Sequence, residues 1–311
     1  MDVTVLCDAV AVFPEGVGEA FGGWGDEQAG WSSRVVPGNV AGVGWWLHFH
    51  SYLVVERAGV TLVDVGVGPA GGEAAEWLGV SGRLPRLLAQ VGVGVTDVDA
   101  VVLTHVHLDH VGWASDGVRP MFPRAEYVVQ RAELDHVRGG ATYLNRIRPI
   151  EEAGQLRVVE GETQLRGMRL LPTPGHTPGH QAVVTERAVL AGDAFVHPAQ
   201  ARWPELTYVY ERDPAVAATS RRELLSLAAA TGIPIAAAHP HPTLNVHPKP
   251  THPSALPGGS SPTPDSQLPP GGGDEPSPGS GSQLAAGEWG IVPGVLGGDG
   301  RGVCPVYRVQ R

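Results

Sequence analysis

The sequence predicts an α/β fold in which strands alternate with helices and end in polar residues. Short runs rich in β-branched residues, such as residues 99–103, have the length and composition of buried strands. Helix signals lie between such runs: Asp213 and Pro214 suit an N-cap and a first helical position, and Gly232 suits a helix end. Several predicted strands are followed directly by His or Asp. Loops at strand ends are where a rigid scaffold often carries a functional site.

The first half of the chain begins with a predicted β-hairpin. Two apolar runs, residues 51–56 and 60–65, flank Ala58 and Gly59, and this arrangement is typical of two strands joined by a tight turn. The elements predicted after it are, in order, a helix at 84–91, a buried strand at 99–103, a strand at 126–130 and a helix through residue 136. The strand at 99–103 leads into the most informative segment of the chain.

The second half continues this alternation and then changes in composition. Its predicted elements are a strand at 168–171, a hairpin of 181–185 and 188–191, a helix from Asp213 to Gly232 and a strand at 233–238. We expect one globular domain over residues 1–247. Residues 248–286 are rich in Pro, Gly and Ser, so we expect a disordered low-complexity insertion there. Residues 287–311 become apolar again, and we expect a terminal strand at a sheet edge, where Pro305 is tolerated.

The composition narrows the classes of function. The net charge of −10 argues against a nucleic-acid-binding protein, because such proteins usually present a basic face. The two cysteines, Cys7 and Cys304, predict neither a disulfide framework nor a cysteine-based metal site. We recognise no signal peptide and no transmembrane segment. We therefore expect a cytoplasmic protein that acts on a small-molecule substrate without a membrane partner, and a homodimer is left open.

Residues 104–112 read THVHLDHVG and concentrate metal-binding side chains at His105, His107, Asp109 and His110. Imidazole nitrogens and carboxylate oxygens are ligands for Zn²⁺ and other first-row metals. On a tight turn after a strand, the first two side chains can point toward one position. The last two, at the start of a helix, can point toward a second position nearby. A merely hydrogen-bonded polar turn does not explain three histidines in so short a run.

Three further candidates also follow predicted strands: His176, Asp193 and His239. His176 lies among Pro and Gly residues that permit close approach of a loop, and the two oxygens of Asp193 can bridge two cations. Together with the first four residues they would form two adjacent sites, about 3.5–4 Å apart as in two-metal hydrolases. His241 is an alternative to His239, which we prefer because it directly follows an apolar strand.

These motifs resemble the metallo-β-lactamase fold family. The resemblance extends from about residue 50 to 242 and rests on residues 104–112, the PGHTPGH run at 174–180, Gly192, Asp193 and the final His239. Asp64, in an early VDVG turn, also matches, and we expect it to orient a ligand loop through hydrogen bonds. Residues 122–133 and 192–200 are similar to the lactonase and methyl-parathion-hydrolase-like branch.

The resemblance implies a four-layer αββα sandwich, in which two mixed sheets face each other with helices outside. It implies one metal held by His105, His107 and His176, a second held by Asp109, His110 and His239, and a bridging Asp193. Two divalent metal ions, zinc with iron, manganese or cobalt as alternatives, would share a hydroxide that acts as the nucleophile. Asp109 would be the catalytic residue that transfers a proton. The implied reaction is hydrolysis of a small ester, lactone or organophosphate-like substrate.

One position departs from the acyl-homoserine lactonases of this family. They carry a tyrosine three residues after the bridging aspartate, where this chain has Val196. For the substrate pocket we expect the rings of Trp113 and Phe195 as apolar walls and His197 as a polar contact. His180 is expected to form a structural hydrogen bond rather than a metal contact.

Other classes of function remain open. Sulfur dioxygenases resemble the same motif but use a single iron, so one iron per chain with oxygen uptake on a persulfide would indicate that activity. A thioester hydrolase on the same fold is another alternative. A non-enzymatic binding protein predicts a missing ligand, whereas all seven candidate residues are present.

Overall fold

The structure is a computed structural model that describes residues 1–36, 39–41, 44–240, 245–248, 289–292 and 306–308. His241 lies outside the described residues, and so does the predicted insertion apart from Pro248. The described residues form mixed sheets with helices packed against them, which confirms the predicted α/β class.

Strands and helices alternate along most of the chain. The strands are β1 (Asp2–Phe13), β2 (Phe21–Gly22), β3 (Val40–Ala41), β4 (Gly44–Glu56), β5 (Gly59–Val63), β6 (Ala100–Val102), β7 (Glu126–Gln130), β8 (Leu156–Val159), β9 (Thr163–Leu165), β10 (Met168–Pro172), β11 (Gln181–Val184), β12 (Val189–Leu190), β13 (Thr207–Tyr208), β14 (Ile235–Ala236), β15 (Asn245–Pro248), β16 (Trp289–Val292) and β17 (Tyr307–Arg308). The α-helices are α1 (Val17–Ala20), α2 (Asp26–Val35), α3 (Glu73–Leu78), α4 (Leu84–Gln90), α5 (Leu108–Val111), α6 (Arg131–Val137), α7 (Arg148–Glu152), α8 (Ala199–Arg202) and α9 (Pro214–Thr231). A π-helical turn spans Tyr143–Ile147, and a 3₁₀ turn spans Gly192–Ala194.

Two mixed sheets carry the fold. The first has the strand order β17-β1-β4-β5-β6-β7-β8, with β3 beside β4, and its pairing is parallel from β5 to β8. The second has the order β16-β15-β14-β12-β11-β10-β9, and within it β12 and β14 are parallel. The pair β2 and β13 stands apart from both. Parallel pairing brings the segments after β5 and β6, and those after β12 and β14, to a common edge of each sheet.

The core between the two sheets is built from alternate residues of their strands. In β4, Tyr52 and Val54 belong to a buried cluster that also contains Val102 of the first sheet and Leu190 of the second. Leu53, between them, belongs to a different cluster that includes the helices. Because successive side chains of a strand point to opposite faces, this division shows that both faces of the first sheet are buried.

Helices cover the outer face of each sheet. Leu84 and Leu88 of α4 pack on the first sheet, and Leu224 and Leu225 of α9 pack on the second. The layers therefore run helix, sheet, sheet, helix, as the resemblance implied.

Most predicted elements are present, with small changes in their bounds. Asp213 caps α9, because its Oδ1 accepts a hydrogen bond from the Val216 N–H at 3.1 Å, and Gly232 ends the helix with a φ of 70°. The long strand β1 was not predicted. Asp8 interrupts its apolar run, and the structure accommodates this residue in a bulge of the pairing with β4.

The far end of the chain contributes an edge strand. The backbone of β17 pairs with β1 opposite Thr4 and Val5, at the edge of the first sheet, where a terminal strand was expected. Among the described residues, no helix combines the length and the hydropathy that crossing a membrane requires.

Candidate metal centre

The loop after β6 carries the first cluster of predicted ligands. His107 is the N-cap of α5, with extended backbone angles of −89° and 156°, so Asp109 and His110 fall in the first turn of that short helix. Gly112, which follows the helix, lies against the segment after β5. A Cβ at Gly112 would be 2.1 Å from the carbonyl carbon of Val67, so only glycine permits this approach.

Four of the predicted ligands form a first donor group: His105, His107, His176 and Asp193. His107 Nδ1 lies 3.1 Å from His105 Nε2 and 2.9 Å from His176 Nε2. Asp193 Oδ2 lies 3.4 Å from His176 Nε2 and 3.8 Å from His105 Nε2. One donor atom from each residue lies within 4.8 Å of all the others, a spacing that one cation can share.

A second donor group contains Asp109, His110 and His239. Asp109 Oδ2 lies 3.7 Å from His110 Nε2 and 3.6 Å from His239 Nε2. Asp193 connects the two groups, because its Oδ1 lies 3.2 Å from His110 Nε2 and 3.0 Å from His239 Nε2. The structure thus brings all seven predicted residues together, in the two groupings that the resemblance implied.

Hydrogen bonds on the far side of two rings fix their tautomers. Asp64 accepts hydrogen bonds from the backbone N–H and the hydroxyl of Thr104, both at 2.7 Å, and from His110 Nδ1 at 2.8 Å. Because the hydroxyl proton of Thr104 is directed to Asp64, its oxygen accepts from His105 Nδ1 at 3.0 Å. With Nδ1 held by a hydrogen bond, Nε2 of each ring points toward the donor groups, which is the orientation in which histidine binds metals.

His239 obtains the same orientation from the backbone, because its Nδ1 donates to the carbonyl oxygen of His48 at 2.8 Å. His110 Nε2 and Asp193 Oδ1 are buried and lie 3.2 Å apart, but neither forms a well-aligned hydrogen bond within the part of the chain that is described. Buried polar atoms without partners are costly. Lone pairs that converge in this way fit a divalent cation.

Burial and charge set the protonation of these groups. Burial lowers the pKa of His105 and of His176 well below the ordinary value, so both rings are neutral. Burial also lowers the pKa of His110, but nearby carboxylates, first that of Asp193, outweigh it and raise the pKa well above the ordinary value. For Asp193, burial raises the pKa, and the charges of His239 and His110 lower it well below its ordinary range. An ionised carboxylate in a buried position is a strong attractor for a cation.

A buried glutamate that was not predicted from the sequence joins the two ligand loops. Glu133 Oε1 accepts a hydrogen bond from the Val106 N–H at 2.8 Å, and Oε2 accepts one from the Gly179 N–H at 3.1 Å. Gly179 permits this contact, because a Cβ there would lie 2.0 Å from the Glu133 nitrogen. The only signal in the sequence was the position of Glu133 at the end of the run 122–133 that carried part of the resemblance.

His180 holds the turn that carries Asp193. Its Nδ1 lies 2.8 Å from Thr173 Oγ1, and its Nε2 accepts from the Asp193 N–H at 3.1 Å. Burial lowers the pKa of His180 to about 4, so the ring stays neutral and remains an acceptor. Gly192 has a φ of 49°, and a Cβ there would lie 2.8 Å from His180 Nε2. The structure therefore gives His180 the hydrogen-bonding role that was expected.

A cavity of about 450 Å³ opens beside both donor groups. Five predicted ligands line it together with Leu47, Trp77, Val106, Leu108, Thr142, Tyr208 and Tyr210. The ring of Tyr208 is stacked on that of His176, with centroids 6.3 Å apart and planes 11° from parallel. Trp77 and Tyr210 are about half exposed, so they form the solvent-facing part of the wall.

The three predicted pocket residues do not line this cavity, which corrects that prediction. Trp113 donates from Nε1 to Asp8 Oδ1 at 3.1 Å and packs against the core of the first sheet. Phe195 lies in the buried cluster beneath α9. His197 is fully buried against aromatic rings such as that of Phe21, 5.6 Å away between centroids. A residue that is close in sequence to a metal ligand therefore need not point its side chain toward the cavity.

Comparison with known proteins gives one family and several relatives. The model of the metallo-beta-lactamase superfamily matches residues 45–239. An N-acyl homoserine lactonase of Bacillus cereus is 28% identical over 169 residues, which are 50% of this chain and 63% of that protein. A probable metallo-hydrolase of Methanocaldococcus jannaschii is 23% identical over 167 residues, which are 51% of this chain and 73% of that protein. The chain therefore spans less than two thirds of the length of the lactonase that it matches.

Solved structures share the fold. The hydrolase AbOPH of the beta lactamase superfamily has a TM-score of 0.67 and 24% identity, over 78% of this chain and 88% of that one. The dizinc quorum-quenching lactonase AidC has a TM-score of 0.63 and 19% identity, over 78% of this chain and 90% of that one. At these identities the likeness shows a common architecture and nothing about the substrate.

The family match and the geometry describe the same part of the chain. The matched residues, 45–239, are more than half of the sequence and contain all seven candidate ligands. They also include the strands at whose ends those ligands lie. This protein belongs to the metallo-β-lactamase superfamily.

Proposed function

We propose that this protein uses two divalent cations to hydrolyse a small ester, lactone or organophosphate-like substrate. The observation that carries the proposal is the position of Asp193, whose two carboxylate oxygens face two different donor groups. In this assignment His105, His107 and His176 hold one cation, Asp109, His110 and His239 hold the other, and Asp193 is shared. When bound, such cations lower the pKa of a water to about 7 and polarise the substrate oxygen. The donor set suits zinc, and iron, manganese or cobalt can use the same ligands.

Asp109 is the residue best placed to act as the general acid and base of the hydrolysis. Its side chain is 15% exposed and lines the cavity, whereas that of Asp193 is only 5% exposed. A general base must reach the proton that it removes, and Asp109 is the more accessible carboxylate at the centre. We assign to Asp109 the removal of a proton from the attacking water and its return to the leaving oxygen.

Acyl-homoserine lactonases carry a tyrosine at the position that is Val196 in this chain. In our proposal Tyr208, from a later segment of the chain, supplies the hydrogen-bond donor instead. Burial, and then the charges of Asp193 and Asp109, raise the pKa of Tyr208 well above its ordinary value. The phenol therefore stays protonated in the cavity. A donor aimed at developing negative charge lowers the barrier to acyl or phosphoryl transfer.

The cavity favours a small substrate with an apolar group. Its volume of about 450 Å³ falls in the range of small-molecule pockets, and most of its wall away from the ligands is aliphatic or aromatic. The net charge of −10 disfavours a polyanionic substrate. Several relatives are N-acyl homoserine lactonases by name, so lactones are the first class to assay.

The test combines a substrate panel with metal analysis on the same purified protein. Rates are measured with lactones, phosphotriesters, aryl esters and thioesters. Asp109→Asn is compared with Asp135→Asn, an exposed position that loses the same charge. We expect Asp109→Asn to lower kcat by about 10²- to 10⁴-fold, because a general acid–base catalyst contributes that much. Asp135→Asn should match the unaltered protein.

The outcomes separate the parts of the proposal. Unchanged rates in Asp109→Asn would contradict its role in proton transfer. A preparation that holds two metal ions and hydrolyses no member of the panel would contradict the hydrolase assignment. One iron per chain with oxygen uptake on a persulfide would indicate a sulfur dioxygenase instead.

A further inference from the structure

A separate group of metal-binding side chains lies outside the centre described above. Cys7 of β1 and His48 and His50 of β4 are buried, with exposed fractions of 1%, 4% and 2%. One ligand atom from each lies within 4.8 Å of the other two, and Cys7 Sγ is 3.6 Å from His48 Nδ1. The two imidazole rings are stacked, with centroids 5.6 Å apart. No cysteine-based site was predicted from the sequence, because Cys7 is far in the chain from His48 and His50.

A β-bulge brings the three side chains together. In the antiparallel pairing of β1 with β4, Cys7 lies opposite His50, and the register shifts between Cys7 and Ala9 so that Asp8 is the extra residue. The Asp8 carboxylate is held by three backbone N–H groups on the side of α4. Cys7 is in phase with Val3 and Val5, whose side chains belong to the core between the two sheets. His48 and His50 share this side, because they are in phase with Tyr52 and Val54 of the same core.

We propose that Cys7, His48 and His50 form a further metal site, in which a thiolate and two imidazoles supply three of the ligands. The distance from Cys7 Sγ to His48 Nδ1 is near the roughly 3.5 Å expected between sulfur and nitrogen ligands of one tetrahedral zinc ion. A thiolate with imidazoles selects Zn²⁺ or Cu⁺ over magnesium or calcium. On binding, the thiol loses its proton to solvent as the metal–sulfur bond forms. The proposal does not depend on the hydrolase assignment.

The position of this group gives it a structural role. None of its three residues lines the cavity at the His/Asp centre. The group lies directly behind His239, because the backbone N–H of His48 donates to the His239 carbonyl at 3.1 Å, and the His48 carbonyl accepts from His239 Nδ1 at 2.8 Å. The His50 N–H also donates to the Ala238 carbonyl at 3.1 Å. A metal bound here fixes β1 and β4 beneath the segment that carries His239.

Sulfur distinguishes this site from the His/Asp centre, whose donor groups contain none. Cobalt(II) bound to a thiolate gives a charge-transfer absorption in the near ultraviolet, and imidazole and carboxylate ligands do not. We expect this band when the full-length protein is freed of metal and refolded with Co²⁺. Cys7→Ser should abolish it, and Cys304→Ser, at the other cysteine of the sequence, is the matched control that should retain it. Asp193→Asn should retain the band too, even though it alters the His/Asp centre.

A measurement on the unaltered protein tests the proposal even if the Cys7→Ser variant does not fold. X-ray absorption at the zinc edge should show a sulfur neighbour at about 2.3 Å. Zinc-loaded protein without a sulfur neighbour, or cobalt-loaded protein without the band, would overturn the proposal. Loss of the band in Cys304→Ser with retention in Cys7→Ser would overturn it as well. Because all of these readouts report sulfur, an inactive enzyme does not affect their interpretation.

Discussion

His110 Nδ1 donates a 2.8 Å hydrogen bond to Asp64 Oδ2, and the same carboxylate accepts two hydrogen bonds from Thr104. Asp64 has a φ of 57°, a left-handed conformation that asparagine also tolerates. Asp64→Asn therefore preserves the shape of the site and removes the charge that fixes the His110 tautomer. We expect metal affinity to fall about 10- to 100-fold, as for other partners that orient metal-binding histidines. Competition with a chelator measures this change, and affinity equal to that of the exposed Asp135→Asn control would contradict it.

Glu133→Gln tests the link between the two ligand loops. The carboxylate accepts one backbone hydrogen bond from each loop, and an amide group can accept only one of them while its NH₂ faces the other donor. We expect the free energy of unfolding to fall by about 2 kcal/mol, because hydrogen bonds to a buried charged group are lost. Urea unfolding measures this loss beside Glu160→Gln, an exposed control. Equal stability of the two variants would show that the loops do not depend on Glu133.

Tyr208→Phe tests the proposed hydrogen bond to the substrate. The ring and its stacking on His176 are retained, and only the hydroxyl is lost. We expect kcat to fall about 10²-fold, since that is the effect of removing one donor to developing negative charge, while KM changes little. Tyr143→Phe, which removes a hydroxyl that bonds to Glu151 and does not line the cavity, should leave kcat unchanged. A larger effect on KM than on kcat would assign Tyr208 to binding alone.

His197 predicts a loss of stability in acid. Burial lowers its pKa to about 3, below the ordinary value of 6.5 that applies to the unfolded chain. Between these values the unfolded chain binds a proton that the folded protein does not, so stability falls as the pH falls through this range. At pH 5 the loss amounts to about 2 kcal/mol.

His197→Asn removes this titration and keeps an acceptor for the Ala199 N–H, which donates to His197 Nδ1 at 3.1 Å. Urea unfolding at pH 7 and pH 5 should show a difference about 2 kcal/mol smaller for this variant than for the unaltered protein. The exposed His136→Asn serves as the control. Identical pH dependence in all three proteins would contradict the prediction.

The predicted ligands could be found in the sequence because each follows a strand end. His105, His107, Asp109 and His110 are neighbours in the chain, so their spacing translates directly into the geometry of one loop and one helical turn. β-Branched runs and helix signals can also be recognised within short stretches of sequence, and their alternation predicted the α/β class. The two ends of α9 could be predicted from Asp213 and Gly232, because a helix cap depends on only a few adjacent residues.

Features set by long-range packing could not be predicted. Trp77 and Tyr208 reach the cavity from separate segments that carry no motif, whereas Trp113 and Phe195, close to the ligands in sequence, turn away into the cores. The contact of Cys7 with His48 depends on strand register and on a bulge, which local propensities do not specify.

Each donor group draws its members from both sheets. His105 and His107 follow β6 of the first sheet, and His176 and Asp193 follow β10 and β12 of the second. The second group likewise combines residues of α5 with the residue that follows β14. A cation in either group therefore acts as a cross-link between the two halves of the sandwich. A substitution that loosens the apolar core between the two sheets will weaken metal binding without changing a ligand. A chelator that removes the cations will in turn make the packing of the two sheets less stable.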